Sequence, residues 1–135
     1  MRPRILLVDD YPEGRFIVTK SLLRRLPDAI VIECVDSEAA VAEARDPRTS
    51  LAILHRALDV DGLPLVELVR AANPLLPILY LSSADRDRHA LQAGATKFLH
   101  YDKWLLVGSV VADLLLPQRK GEAELKSDVS KKSRD

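Results

Sequence analysis

Leu51-Ala52-Ile53-Leu54-His55 runs into Arg56-Ala57-Leu58-Asp59-Val60-Asp61-Gly62, and the reading of this stretch decides the fold. Four apolar residues between Ser50 and a turn-forming loop suit a strand buried on both faces of a parallel sheet. In open α/β sheets, ligands gather at the carboxyl ends of the strands, where side chains leave the core for water. His55 is predicted at such an end, so the chemistry of its imidazole bears on function.

Outward from this strand the pattern repeats. Ile5-Leu6-Leu7-Val8 is a second apolar run, ending at Asp9-Asp10. Pro12 stands where a first helical turn tolerates it; Phe16, Ile17, Leu22, Leu23 and Leu26 follow at helical spacing until Pro27 stops the helix. Ala29–Val35 reads as a strand, Asp36 or Ser37 as the cap of a helix to about Ala44, and Asp46-Pro47 as its break. After the Gly62 turn the pattern predicts a helix over Pro64–Ala72 and a strand over Pro77–Leu81. A short helix over Asp85–Ala93 follows, capped by Ser82-Ser83 and closed by Gly94. Lys97–His100 is a brief fifth strand and Lys103–Leu116 the last helix.

Strands and helices alternating through short connections predict an α/β domain, a doubly wound five-stranded parallel sheet in three layers, α/β/α. Residues 1–116 make up that domain, and the charged, Ser-containing residues 117–135 are expected to be a disordered tail or linker. At 135 residues and 47% apolar content the chain suits one core. Twenty basic residues balance twenty acidic ones, so no global field draws nucleic acid or anionic lipid, and neither is expected as a partner. Cys34 stands alone in an apolar strand, where an inert buried thiol is expected. Ile5–Val8 is too short for a signal segment and no run approaches the ~20 apolar residues of a membrane span, so a cytoplasmic location is expected.

Three features converge on one edge of the sheet: Asp9-Asp10 end the first strand, His55 the third and Ser82 the fourth. Adjacent carboxylates there hold a hard cation through oxygen, or simply cap a turn. Together with Val35-Asp36-Ser37-Glu38-Ala39-Ala40, Pro77-Ile78-Leu79-Tyr80-Leu81-Ser82 and Ala93-Gly94-Ala95-Thr96-Lys97-Phe98-Leu99, their order and spacing resemble a known family. It is the response-regulator receiver family, the CheY-like, flavodoxin-like phosphoacceptor domains of two-component signalling. The resemblance spans about Arg4 to Leu116.

The resemblance implies an aspartate at the end of the third strand that accepts a phosphoryl group, with Mg²⁺ held by that acceptor and the first-strand acids. It also implies a Ser or Thr ending the fourth strand and a Lys ending the fifth, both touching the phosphoryl oxygens. Asp9, Asp10 and Ser82 match. The acceptor position is His55, and the lysine position falls on Tyr101, with Lys103 two residues further on. Asp9, Asp10, His55, Ser82, Tyr101 and Lys103 therefore read as a degenerate phosphorylation pocket, a pseudo-receiver. Mg²⁺ at Asp9 and Asp10 is expected to bind weakly or not at all, because imidazole does not replace a carboxylate for that ion.

Two functions follow from different classes. The first is a non-enzymatic, phosphorylation-independent module, without a cofactor, that binds signalling proteins. The alternative is a phosphorelay receiver with a non-standard acceptor at Asp59, Asp61 or His55 itself. His55 is expected to replace the missing positive charge when protonated, or to sit neutral and hydrogen-bonded. A transition-metal site of Asp9, Asp10 and His55 is the remaining reading. The last helix carries Asp102, Ser109 and Asp113 in a narrow polar band and is apolar over nearly all the rest. An apolar excess of that kind marks a partner surface. The resemblance places the dimer and output face at the fourth helix, fifth strand and fifth helix. A homodimer through the last helix is accordingly expected, with Phe98, Trp104, Leu106, Val110 and Leu114 at switch or interface positions.

Overall fold

The computed structural model describes residues 2–60 and 62–116. Its elements are β1 (Arg4–Asp9), α1 (Pro12–Arg25), β2 (Ile30–Cys34), α2 (Ser37–Arg45), β3 (Thr49–Arg56), α3 (Gly62–Ala72), β4 (Ile78–Ser82), α4 (Asp87–Ala93) and β5 (Lys97–His100). A 3₁₀ segment, Tyr101–Leu106, leads into α5, residues 107–116. All strand pairs are parallel, in the order β2-β1-β3-β4-β5. This is the α/β, doubly wound five-stranded sheet expected from the sequence.

The layers follow from β1, where Ile5, Leu6, Leu7 and Val8 have no exposed surface. Successive strand residues point to opposite faces, so a run of four apolar side chains needs cover on both. Leu6, Val8, Leu54 and Tyr80 pack beneath α2, α3 and α4, through Ala40, Ala44, Val66, Val69 and Ala90. Ile5, Leu7, Ile53 and Leu79 pack beneath α1 and α5, through Val18, Leu22, Val107 and Val111. Each fully buried aliphatic side chain contributes about 1.5–3 kcal/mol of transfer free energy.

Local signals set most boundaries. Pro12 occupies the first turn of α1, and Asp36 caps α2 by accepting the Ala39 N–H at 2.8 Å. Gly94 ends α4 in the left-handed region, at φ 116°. Several boundaries differ from expectation by a residue or two, and three of the differences bear on the site. Ser82-Ser83 do not cap α4: the helix starts at Asp87, and Ser82 Oγ instead accepts the Ala84 N–H at 3.1 Å, closing a local turn. β3 continues one residue past His55, because a register shift at Val8/Asp9 pairs Asp9 with Arg56.

The third is the last helix. It is α-helical only from residue 107, and Lys103 lies outside helical geometry at φ −96°, ψ 28°. Tyr101 is drawn inward to Asp9 directly after β5, and the His100 imidazole accepts the Asp102 N–H at 3.3 Å. These anchors tighten the backbone before a regular helix forms. The expectations for residues 117–135 and for Asp61 lie outside the described residues.

Candidate functional site

The alternation that buries Ile5 and Leu7 beneath α1 carries Asp9 to the same face, with no exposed surface. His55 follows Leu51 and Ile53 there, and Tyr101 arrives from the end of β5. A buried acid must be met by donors or by charge. The Tyr11 N–H donates to Asp9 Oδ1 at 3.1 Å, and the Tyr101 hydroxyl donates to Oδ2 at 3.2 Å.

His55 Nδ1 lies 3.2 Å from Oδ1, off the line that an N–H···O bond needs, so this contact is electrostatic and attractive when the ring is protonated. The His55 ring stacks obliquely on Tyr101, with centroids 4.4 Å apart and planes at 39°. Burial, then the charge of Asp9 and the hydrogen bond to it, push the Tyr101 phenol well above its ordinary value. Tyr101 is therefore a neutral donor at any physiological pH.

Around this cluster sit residues that sequence reasoning passed over. A Cβ at Gly14 would collide with the Tyr101 hydroxyl and the Asp9 carboxylate, so the glycine makes the contact possible. Arg15 donates to the Asp9 main-chain oxygen at 2.8 Å and pairs with Glu33 at 3.4 Å. Arg56 Nε donates to Asp10 Oδ1 at 2.7 Å, and the Asp10 N–H returns a bond to the Arg56 carbonyl at 3.1 Å. A glycine inside a helix signals a packing reason, and Arg56 directly follows the strand-end histidine; neither signal names the partner.

The six residues read as one pocket are not all brought together. Asp9, His55 and Tyr101 touch, while Asp10 faces Arg56 at the rim. Ser82 belongs to the face of Tyr80 and borders a recess shared with His55 and Arg56. Lys103 is exposed and forms no ion pair among the described residues, so it does not stand in for a fifth-strand lysine. Asp59 accepts both the N–H and the hydroxyl of Ser37, tying the β3–α3 loop to the start of α2. Those hydrogen bonds hold its carboxyl below the usual range.

Mg²⁺ asks for several oxygen ligands in octahedral array. Both Asp9 oxygens already meet protein groups, Asp10 is paired with Arg56, and the third position offers an imidazole. These residues do not fit Mg²⁺. Among the described residues, no group of three or more His, Cys, Asp or Glu is placed to hold a metal ion, which removes the reading of Asp9, Asp10 and His55 as a transition-metal site.

On the predicted interface, Val107 and Val111 are core, and Val110 and Leu114 rest partly on it. The exposed apolar surface is therefore narrower than the sequence implied: Leu105, Leu106 and Leu116, at 62%, 49% and 40% exposure. Trp104 is half-buried in a groove between α1 and the 3₁₀ segment. Phe98 is half-buried against the core, its ring 6.1 Å from that of Tyr80. Among the described residues, no helix is long and apolar enough to cross a membrane.

The sheet order, the layers and the acids ending β1 define the CheY-like receiver fold. No family model matches the sequence, and no curated protein matches it.. The chain is similar to the chemotaxis response regulator CheY4 of Vibrio cholerae at 22% identity and TM-score 0.68, over 85% of this chain and all of that one. It is similar to the receiver domain of NtrX from Brucella abortus at 26% identity and TM-score 0.67, over 82% and 97% of the two chains. The response regulator domain of Thermotoga maritima CheB matches at 18% identity and TM-score 0.67, over 84% and 94%.

Proposed function

We propose that this domain is a pseudo-receiver: a non-enzymatic module of two-component type that binds signalling proteins without being phosphorylated. One observation carries the reading. The buried Asp9 is contacted from within the protein, by the His55 ring, the Tyr101 hydroxyl and the Tyr11 N–H, where a receiver in working order would use metal and lysine. With an imidazole at the acceptor position and a neutral phenol at the lysine position, those two positions supply neither the carboxylate nucleophile nor the fixed charge that the family's phosphoryl transfer uses. The conformation is set by these permanent contacts, and function then lies in the surfaces they hold in place. Self-association through Leu105, Leu106 and Leu116 belongs to the same proposal.

Incubation with acetyl phosphate and Mg²⁺, followed by intact mass, tests it. The wild-type chain is expected to show no phosphoryl adduct. An adduct would overturn the reading, and mapping it would name the acceptor.

A further inference from the structure

Between α1 and the 3₁₀ segment that leads into α5 lies a groove of about 430 Å³. Its apolar lining is Phe16, Ile17, Trp104 and Leu105, and Phe16 is 65% exposed. The two elements meet closely beneath it. Ser21 Oγ donates to the Leu105 carbonyl at 3.1 Å, and a Cβ on Gly108 would stand 2.6 Å from the Ser21 carbonyl oxygen. Lys20, Arg24 and Arg25 line the same groove and, among the described residues, no carboxylate does. Lys20 Nζ lies 5.6 Å from the centre of the Phe16 ring, and neither Arg24 nor Arg25 has an acidic partner among the described residues.

Exposed aromatic surface ringed by cations fits an acidic segment with a short apolar stripe. The chain itself carries one. Glu122, Glu124 and Asp128 surround Leu125 and Val129, whose i, i+4 spacing suits one face of a helix, with Glu122 and Asp128 beside it. The segment is also within reach. Leu116 and Arg25 line a neighbouring recess, so the Arg25 side chain joins the end of α5 to the groove. Gly108 stands about 12 Å from Leu116 along the helix. The chain from Leu116 to Leu125 spans up to about 30 Å, enough to turn back at Gly121. We propose that residues 122–129 of the same chain dock in this groove, Leu125 and Val129 against Phe16, Trp104 and Leu105, and the three acids facing Lys20, Arg24 and Arg25. A protein that binds this face then competes with the segment. The inference goes beyond the interaction module proposed above, and an acetyl phosphate adduct would leave it standing.

Trp104 is the one tryptophan of the chain, so its indole reports on the groove. Heteronuclear NOEs and chemical shifts of the full chain, wild type beside Leu125→Asp, test the proposal. Leu125 lies outside the elements of the fold, so the variant keeps the core intact. NOEs of residues 122–129 are expected well above those of residues 131–135 in the wild type, and at the same low level in Leu125→Asp. The Trp104 indole and the Lys20, Arg24 and Gly108 amides should shift in that variant, and Arg24→Glu should release the segment from the groove side. Tenfold dilution should change none of this. Uniformly low NOEs over residues 117–135 would overturn the proposal, as would an ordered segment that leaves the groove signals unmoved. Groove shifts that fade on dilution would also overturn it, by assigning the groove to a second copy.

Discussion

At the scale of single residues, Gly14 governs more than its size suggests. Helix propensity alone predicts that Gly14→Ala stabilises α1, by about 1 kcal/mol. The structure reverses the sign, because the added methyl would strike both the Tyr101 hydroxyl and the Asp9 carboxylate. Forcing these apart strands a fully buried acid, and the variant is expected to lose about 1–3 kcal/mol in a urea melt. A more stable variant would show that Asp9 does not depend on Tyr101. His55 and the acids were legible as a strand-end cluster, since apolar runs that stop at polar residues mark the sheet edge. Gly14 was not legible as a partner of Tyr101, because only the folded chain brings the start of α1 against the end of β5.

Among the elements, helix ends divide into those set locally and those set from afar. Gly94 is local: its left-handed backbone is the conformation that stops α4. Yet its surroundings are tertiary, since Arg70 Nε donates to the Gly94 carbonyl at 2.8 Å and a Cβ would stand 2.7 Å from Arg70 Cγ. Gly94→Ala thus combines backbone strain with a clash and should cost about 2 kcal/mol in chemical denaturation. A loss within ±0.5 kcal/mol, the ordinary range for surface changes, would contradict this account. The last helix is the opposite case. Its apolar residues begin at Trp104, so periodicity starts it early; the anchoring of Tyr101 on Asp9 holds Tyr101–Leu106 as a 3₁₀ segment.

For the whole molecule, stability against pH is bounded on both sides by shifted groups. Tyr101 is raised, so the neutral phenol is the form that the fold favours; its contribution is complete below its ordinary value near 10 and is lost as pH rises beyond it. Asp46 and Asp59 are lowered, chiefly by hydrogen bonds from the side chains of Arg48 and Ser37 respectively, so their contribution holds above the ordinary 3.8 and is lost as pH falls below it. Melts across pH 3 to 11 should fall at both ends, and Tyr101→Phe should flatten the alkaline limb alone. The acid limb should be shallow, because Asp59 is exposed and such pairs are screened. An alkaline limb unchanged in Tyr101→Phe would remove Tyr101 from this account. Association is the second property at this scale: light scattering should give a dimer for the wild type and a monomer for Leu106→Glu, and a monomeric wild type would sink the dimer proposal.

By itself, the sequence determined the α/β class, the number and order of strands, and the polar edge at Asp9, His55 and Ser82. Apolar runs too continuous for a half-exposed sheet require helices on both faces, and that requirement is written residue by residue along the chain. The tertiary structure decided which of those edge residues meet. Asp9 and His55 share the α1/α5 face with Tyr101, whereas Ser82 joins Tyr80 and Arg86 on the other side of the recess, and Lys103 is left in solvent. The physical reason is the two-residue period of a strand: a side chain's face depends on the register of its neighbours, and register is settled only when the sheet is assembled.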